Sequence, residues 1–283
     1  MAVQLAGKPV VAAMKESIIK RVEACKAKGV QPTLAFVRVG NRGDDLSYQR
    51  TATKRAESHG IATVEVALGE GCTDAQVAEA LASVNEDATA NGCLMFRPLP
   101  KPLSDEAACA VMAGAKDVDG ITKDSLAAVF TDADEGFPPC TAQACIEMLD
   151  HYGIELAGKN VVVVGRSLVI GKPVAMMLLR RNATVTMAHS RTKDLASITR
   201  AADVVVCATG RAKAYGAEYF SEGQTVLDVG INFDEEGNLC GDVDYAAVEP
   251  LVGAITPVPG GLGSVTTEVL MDHVVTAAER TLA

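Results

Sequence analysis

Residues 160–182, NVVVVGRSLVIGKPVAMMLLRRN, constrain the fold more than any other stretch of the chain. The unbroken β-branched run at 161–164 is typical of a central strand in a parallel sheet that is covered on both faces. Gly165 ends this strand, and Gly171 and Pro173 open a helix, where a first-turn proline costs no hydrogen bond. A strand, a glycine turn and a helix N-terminus together predict a phosphate site, because free N–H groups and the helix dipole meet there.

The residues after the next predicted strand, at 183–187, indicate which nucleotide that site would bind. In a dinucleotide-binding fold an acid at this point binds the free 2′-hydroxyl of NAD, whereas a basic residue accommodates the 2′-phosphate of NADP. This chain has Ser190 and Arg191 there, with Arg166 in the first turn, and these groups suit a phosphate. NADP is therefore the expected cofactor. The alternatives are a solvated basic loop and a purely structural turn, since the spacing is G-x-S-x-x-x-G-x-P and not G-x-G-x-x-G.

Length and charge limit the class of protein. The chain has 283 residues, of which 48% are hydrophobic, enough for one large or two medium domains with a real core. The net charge of −10 argues against nucleic acid or an anionic membrane as the main partner. A local basic pocket for an anionic ligand remains compatible with that charge.

Cysteine usage and hydropathy indicate a soluble cytoplasmic protein. None of the eight cysteines has C-x-x-C spacing, so we interpret most of them as small buried thiols in a reducing compartment. The N-terminus lacks the long apolar region of a signal peptide, and no apolar run reaches transmembrane length. His59, His151 and His273 lack metal-ligand spacing, so no metal is predicted.

Strand and helix patterns alternate along the chain, which predicts an α/β fold with parallel sheets and right-handed crossovers. Strands are predicted at residues 33–39, 62–68, 93–96, 161–164, 183–187, 203–207 and 225–229. Helices are predicted at residues 8–28, from a cap at Asp45 or Ser47 to about 59, at 73–84, up to 152 after the prolines at 138–139, from 171 onward, and at about 266–281. The glycine- and proline-rich segment before the last helix is expected to contact a ligand.

Several motifs in fixed order resemble those of the methylenetetrahydrofolate dehydrogenase/cyclohydrolases of one-carbon metabolism. They are VGNR at 39–42, Tyr48, KDVDGIT at 116–122, PCT at 139–141, VVVGRSLVIGKPVAMMLL at 162–179, ATVTMAHSRT at 183–192, LDVGIN at 227–232 and PVPGGLGSVTTEVLM at 257–271. They cover nearly the whole chain, and GRSxxxGxP combined with PVPGG is highly specific.

The resemblance implies two α/β domains with a cleft between them, and usually a homodimer. An N-terminal folate-binding catalytic domain would comprise residues 1–138 and 267–283, and a C-terminal Rossmann-type NAD(P)-binding domain would comprise 139–266. The dehydrogenase step would oxidise 5,10-methylenetetrahydrofolate to 5,10-methenyltetrahydrofolate with NADP. A cyclohydrolase step would then give 10-formyltetrahydrofolate.

The matching positions imply the site residues. Those expected to be catalytic are Tyr48, Asp119 and Lys54. Those expected to bind the folate are Tyr48, Phe96, Pro98, Leu99, Asp119, Pro259, Gly260 and Gly261. Those expected to bind the cofactor are Gly165, Arg166, Ser167, Ile170, Gly171, Pro173, His189, Ser190, Arg191, Ala208, Thr209, Gly210, Gly230, Ile231 and Thr266.

The chain departs from the family at two positions that belong to one catalytic pair. Bifunctional members have Y-x-x-x-K-x-K, with the first lysine catalytic, but here Ala52 takes that position and only Lys54 follows. Two helical positions correspond to a rotation of about 200°, so Lys54 should not face the same way. The family's supporting glutamine in Q-L-P-L-P is replaced by Phe96.

This paired loss predicts that one of the two activities has been given up. Hydride transfer needs alignment of donor and acceptor, whereas hydration and ring opening need a positioned proton-transfer group. We therefore expect a dehydrogenase with weak or absent cyclohydrolase activity. The alternatives are a bifunctional enzyme in which Lys54, Arg50 or Arg97 replaces the lysine, and a non-catalytic regulator that binds folate or nucleotide.

Overall fold

The computed structural model describes residues 2–282, which divide into two compact units. Residues 13–140 and 267–282 form the first, which we call the three-strand unit. Residues 2–12 and 141–266 form the second, the six-strand unit. Each unit is built on a parallel sheet with helices between its strands, so the predicted α/β class is confirmed.

The described elements follow one another in a regular order. The first part of the chain contains β1 (Val3–Gln4), α1 (Gly7–Ala27), β2 (Thr33–Val39), α2 (Gly43–His59), β3 (Ala62–Leu68), α3 (Asp74–Glu86), β4 (Gly92–Met95), α4 (Asp105–Val111), a 3-10 turn (Gly114–Lys116), α5 (Lys123–Thr131) and α6 (Cys140–His151). The second part contains β5 (Asn160–Val164), α7 (Gly171–Arg180), β6 (Thr184–Ala188), α8 (Leu195–Arg200), β7 (Val204–Cys207), a 3-10 turn (Ala217–Tyr219), β8 (Thr225–Asp228), β9 (Asn232–Phe233), β10 (Leu239–Cys240), α9 (Tyr245–Val248), β11 (Ala254–Ile255) and α10 (Leu262–Arg280).

The three-strand unit has the strand order β3-β2-β4, with parallel pairing throughout. Strands β2 and β3 coincide with the predicted strands at 33–39 and 62–68. The core beneath them contains Val37, Leu81 and Met95. Helix α3 begins with a capping box, in which Thr73 and Gln76 satisfy each other's backbone N–H groups.

The six-strand unit has the order β1-β11-β8-β7-β5-β6, and all neighbours are parallel. From β5 the chain crosses to β6 on one side and then returns to β7 on the other side, so the strand order reverses at β5. Such a switch point is where open α/β sheets bind ligands, beyond the carboxyl ends of the strands. The predicted central strand at 161–164 is therefore correctly placed, with every residue buried.

The N-terminal boundary differs from the expected one. Residues 2–12 were predicted to belong with the folate-binding domain, but β1 pairs with β11 and extends the six-stranded sheet. The chain passes from one unit to the other after residue 140 and again after residue 266.

Two predicted helix starts were wrong. Helix α2 begins at Gly43, so Asp45 is inside its first turn and pairs with Arg42 at 3.3 Å, and neither Asp45 nor Ser47 is the cap residue. Helix α10 begins at Leu262 and not at 266, because Leu262 is buried and anchors the first turn despite Gly263 beside it. Within residues 2–282, no helix combines the length and hydropathy that a bilayer-spanning segment needs.

Candidate functional site

Tyr48 and Phe96 form an aromatic pair in the three-strand unit. Tyr48 lies on α2 and Phe96 follows β4, with their ring centroids 6.1 Å apart in an edge-to-face arrangement. Phe96 is 7% exposed and also packs against Phe36 of β2 at 6.0 Å. Tyr48 remains 39% exposed. The pair therefore offers an accessible ring on a buried aromatic base, a surface suited to a flat heterocycle.

Asp119 is presented by a loop whose shape Asp117 fixes. The Asp117 carboxylate is fully buried and accepts hydrogen bonds from the backbone N–H groups of Ile121 at 3.0 Å and Thr122 at 2.7 Å. Burial and, to a smaller extent, the charge of the Asp117 carboxylate raise the pKa of Asp119 to about 6, although Arg97 and the Cys140 thiol act in the opposite direction. Asp119 is thus a carboxyl group that can change its protonation state near neutral pH.

Tyr48 and Cys140 remain protonated next to Asp119. Burial of the hydroxyl and the charge of Asp119 raise the pKa of Tyr48, and an interaction with Thr267 and the charge of Arg55 partly offset this. Burial and Asp119 also raise the pKa of the Cys140 thiol. That thiol donates to the Val118 carbonyl at 3.2 Å, so Cys140 is a structural donor here and not a nucleophile.

The position of the missing lysine lies on the buried face of α2. Ala52 is 0% exposed and shares this face with Ala56 and His59. Lys54 and Arg50 are exposed. Lys54 was predicted to be catalytic, but the cations whose charge affects Tyr48 and Asp119 are Arg55 and Arg97. The rotation of about 200° between positions 52 and 54 explains why Lys54 points elsewhere.

The segment after Phe96 contains two residues that were predicted to bind the folate, Pro98 and Leu99, and a hydrogen bond holds the backbone at each of them. Arg42 donates to the Pro98 carbonyl at 2.7 Å, and the Leu99 N–H donates to Asp105 at 2.8 Å. Pro98 is exposed, whereas Leu99 is 6% exposed and belongs to the core. Pro98 therefore offers surface to a ligand, and Leu99 anchors the segment.

A cavity of about 640 Å³ opens at the switch point of the six-strand unit. It is lined by residues that follow three neighbouring strands, including the predicted Gly165, Arg166, Ser167, His189, Ser190, Ala208 and Thr209. The other lining residues were not predicted; they are Thr192, Asp194, Leu195, Ala196, Arg211, Ala214, Tyr215 and Tyr219. Two arginines, several hydroxyls and the ring of Tyr215 match a ligand with both a phosphate and an aromatic base.

Two glycines let the turn after β5 pack closely. A Cβ on Gly165, whose φ is 138°, would lie 2.3 Å from the Ala208 carbonyl oxygen. A Cβ on Gly171 would lie 2.4 Å from the Gly165 carbonyl oxygen. Ser167 accepts the Ile170 N–H at 3.1 Å, which closes the turn, and Pro173 is buried in the first turn of α7. The predicted turn therefore exists, and its glycines are required by contact and not only by flexibility.

The loop after β7 is held by Asp242, a residue that was not predicted. Its fully buried carboxylate accepts hydrogen bonds from the backbone N–H groups of Thr209, Gly210 at 3.1 Å and Arg211 at 2.9 Å. It also accepts from the Thr209 hydroxyl at 2.9 Å and from Asn232 at 2.9 Å. Asp242 lies after β10, with no motif of its own, so only the folded chain reveals its role.

Asp228 supports Asp242 from the end of β8. It accepts the backbone N–H groups of Gly230 at 3.0 Å, Asp242 at 2.9 Å and Val243 at 2.9 Å. Burial raises the pKa of Asp228 to about 6 even though these N–H groups favour its charged form. Gly230 has no room for a side chain, since a Cβ would lie 2.3 Å from Asp242 Oδ1.

The remaining predicted ligand-binding positions lie outside the lining of this cavity. Arg191 is exposed, and its N–H donates to His189 Nδ1 at 3.2 Å. Ile231 is 66% exposed. Pro259 and Gly260 are exposed, Gly261 is buried, and the Thr266 hydroxyl bonds the Leu262 carbonyl at 3.2 Å within α10. Gly210 is exposed on the loop that Asp242 holds.

Family models match both parts of the chain. Residues 5–119 match the description "Tetrahydrofolate dehydrogenase/cyclohydrolase, catalytic domain". Residues 139–282 match "Tetrahydrofolate dehydrogenase/cyclohydrolase, NAD(P)-binding domain".

Individual proteins match over the whole length. The chain is 49% identical over 273 residues to the "Bifunctional protein FolD" of Clostridioides difficile, covering 96% of this chain and 95% of that protein. The bifunctional enzyme FolD of Campylobacter jejuni has a crystal structure with a TM-score of 0.96 and 33% identity, covering 99% of this chain and 100% of that chain. The Trypanosoma brucei enzyme, solved with NADP and an inhibitor, gives a TM-score of 0.92 at 32% identity, covering 99% and 98%.

Proposed function

The chain belongs to the tetrahydrofolate dehydrogenase/cyclohydrolase family, and from that premise we propose that it is an NADP-dependent methylenetetrahydrofolate dehydrogenase with weak or absent cyclohydrolase activity. The observation that carries the second half of this proposal is the burial of two apolar residues beside Tyr48. Ala52 is 0% exposed and Phe96 is 7% exposed, at the two positions of the family's lysine and glutamine.

NADP fits the cavity of the six-strand unit. Arg166 and Ser190 line it, and Arg211 adds a second guanidinium. No carboxylate is present at position 190, where an NAD-specific protein would bind the free ribose hydroxyl. The glycine turn and the start of α7 supply backbone N–H groups for a pyrophosphate. Bound NADP would supply the acceptor for the hydride.

The chain's own contribution to the dehydrogenase step is alignment and electrostatics. The substrate's methylene carbon loses a hydride, and the adjacent folate nitrogens share the resulting positive charge. Tyr48 and Pro98 would bind the pterin, and Asp119 would accept a hydrogen bond from it. No lysine is present at position 52 to oppose the developing cation. Such positioning lowers the barrier without any proton transfer from the protein.

The cyclohydrolase step needs more than alignment. Water must add to the methenyl carbon and a proton must move as the ring opens. A positioned acid–base group typically contributes about 10²–10⁴-fold. Ala52 and Phe96 have no group that can carry a proton, and the two arginines whose charges act on Tyr48 and Asp119, Arg55 and Arg97, stay charged.

One observation favours a second candidate, a bifunctional enzyme. The C. difficile relative, 49% identical, is named bifunctional. In this alternative Arg97, whose charge lowers the pKa of Asp119, would orient water for the Asp119 carboxylate, which would act as the base. The two candidates differ only in the fate of methenyltetrahydrofolate.

The cofactor part of the proposal is tested by replacing Ser190 with aspartate. We expect the purified protein to form methenyltetrahydrofolate from the methylene form with NADP. In Ser190→Asp, kcat/KM for NADP should fall by about 10- to 100-fold, because a carboxylate would face the 2′-phosphate and a charge-assisted hydrogen bond would be lost. The rate with NAD should be unchanged or higher. The assay follows the absorbance of NADPH or NADH.

Lys193→Gln is the matched control, because it changes the charge by the same single unit at an exposed position outside the cavity lining. It should leave both rates within about twofold. Equal losses for NADP in the two variants would contradict the assignment of Ser190. No dehydrogenase turnover in the parent protein with either cofactor would contradict the proposed function itself.

A further inference from the structure

Helix α10 contains a fully buried acid, Glu268, with two basic partners on α2. Arg55 Nη1 donates to Glu268 Oε2 at 2.8 Å, and His59 Nε2 lies against Glu268 Oε1. Glu268 is 0% exposed and His59 is 3% exposed, while the Arg55 side chain is 22% exposed. All three residues belong to the three-strand unit. A carboxyl group so completely removed from water needs such partners.

The second ring nitrogen of His59 fixes the direction of these contacts. Its Nδ1 lies 2.6 Å from the Arg55 carbonyl oxygen, which can only accept. Nδ1 is therefore assigned the hydrogen of this contact, and Nε2 faces the Glu268 carboxyl group. The same carbonyl accepts the Ser58 hydroxyl at 2.8 Å. His59 is thus clamped between its own helix and α10.

This cluster continues the face of α2 that carries Tyr48. Tyr48 and Arg55 are seven residues apart, which places them on the same side of the helix, with Ala52 between them. Thr267, next to Glu268, interacts with the Tyr48 hydroxyl, and the charge of Arg55 acts on the same group. Helices α2 and α10 are therefore joined by polar contacts at Tyr48 and again two turns later, while Ala52 contributes none.

We propose that Glu268 is a positioning residue for the folate substrate: through Arg55 and His59 it fixes α2 against α10, and so fixes the Tyr48 ring. This inference rests on the proposed function, because it assumes that Tyr48 binds the pterin. In the family pattern a lysine occupies position 52 on this face, between Tyr48 and the cluster. Here alanine occupies it, and the Glu268 cluster supplies the polar anchoring one turn further along.

The test compares Glu268→Gln with Arg21→Gln. Arg21 also joins α10 to another helix, through Asp272 at 2.5 Å and Glu279 at 2.6 Å, but it has no contact with α2 or Tyr48 among its described bonds. Both substitutions remove one charge from an interhelical ion pair and leave a polar amide in its place. Each variant is measured for melting temperature, for KM and kcat with methylenetetrahydrofolate, for KM with NADP, and for binding of 5-formyltetrahydrofolate by calorimetry.

In Glu268→Gln we expect the KM for methylenetetrahydrofolate and the dissociation constant of 5-formyltetrahydrofolate to rise about tenfold, with the KM for NADP unchanged. Arg21→Gln should lower the melting temperature without changing either folate constant. His59→Gln removes one of the two partners and keeps the Arg55 pair, so it should show the same selective effect at smaller size. His59→Gln also replaces Glu268→Gln as the test variant if Glu268→Gln fails to fold.

A purely structural role for Glu268 would give a different pattern. Glu268→Gln and His59→Gln would then lower the melting temperature, as Arg21→Gln does. They would not change the KM for methylenetetrahydrofolate or the dissociation constant of 5-formyltetrahydrofolate, and that result would overturn the inference. Failure of the proposed function is distinguishable, because the parent protein itself would then neither bind 5-formyltetrahydrofolate nor turn over the methylene substrate.

Discussion

Replacing Asp119 with asparagine is expected to lower kcat/KM for methylenetetrahydrofolate by about 100-fold and, at pH 8, to make the protein more stable. The loss of activity follows from the loss of a charge-assisted acceptor for the pterin. The gain in stability follows from the environment of Asp119, whose pKa is raised to about 6 by burial and by the Asp117 carboxylate. The charged form that the substrate requires is the form that the folded protein disfavours.

The sign of the stability effect depends on pH. The folded chain holds a proton on Asp119 up to about pH 6, whereas the unfolded chain releases it near the ordinary value of 3.8. The folded state therefore loses stability as the pH rises from about 4 to 6, and the penalty is constant above that range, at about 3 kcal/mol. Asparagine removes this penalty, so the gain should be present at pH 8 and absent near pH 4.

Urea unfolding of the parent protein and Asp119→Asn at pH 4.5 and pH 8 measures this difference. Glu57→Gln, on the exposed side of α2, is the control for loss of a negative charge, and it should change the free energy of unfolding by less than about 0.5 kcal/mol at both pH values. An equal effect of Asp119→Asn at the two pH values would contradict the raised pKa. An unchanged kcat/KM for methylenetetrahydrofolate in Asp119→Asn would contradict the contact between Asp119 and the pterin.

Replacing Asp242 with alanine is expected to abolish NADP binding at practical concentrations and to destabilise the six-strand unit by about 4 kcal/mol. The carboxylate accepts three consecutive backbone N–H groups in the loop after β7, together with Thr209 Oγ1 and Asn232 Nδ2. Without it, those N–H groups lose their partner and the wall of the cavity that contains Thr209 and Arg211 loses its shape.

Asp244→Ala is the control for Asp242→Ala. Asp244 lies two residues away and caps α9 by accepting the Ala247 N–H, so its loss should cost about 1 kcal/mol and leave NADP binding intact. Thermal unfolding and calorimetric titration with NADP measure both effects. If Asp242→Ala bound NADP as tightly as Asp244→Ala, the loop after β7 would not depend on this carboxylate.

The sequence predicted the elements that depend on local pattern. Strands β2 and β3 were placed to the residue because each is a short segment rich in β-branched and apolar residues. The turn from β5 into α7 was predicted from local backbone preferences. Gly165 and Gly171 suit a tight turn, and Pro173 suits the first turn of a helix. The start of α10 was missed, because helix formation at Leu262 depends on burial of that side chain and not on a capping signal.

The residues that the sequence did not reveal act over long distances along the chain. Asp242 holds a loop more than 30 residues away, and Glu268 meets Arg55 across 213 residues. Neither stands in a motif, and a lone acid in a sequence is most often solvated. Strand β1 was missed for the same reason, since its partner β11 lies at the far end of the chain and two residues carry no periodicity. The sequence did identify Ala52 and Phe96 as departures from the family. The spacing of the family's motifs shows that these two residues stand where the lysine and the glutamine are expected.

The measurement that tests the central claim most directly follows methenyltetrahydrofolate supplied to the purified protein without NADP. Its absorbance decays in buffer at an uncatalysed rate, and the assay compares that rate with the rate at increasing protein concentration. If Ala52 and Phe96 leave the protein without a proton-transfer group, the decay should not depend on protein concentration, while the same preparation oxidises the methylene form with NADP. Decay that accelerates in proportion to protein concentration would contradict this account and would identify the protein as a bifunctional enzyme.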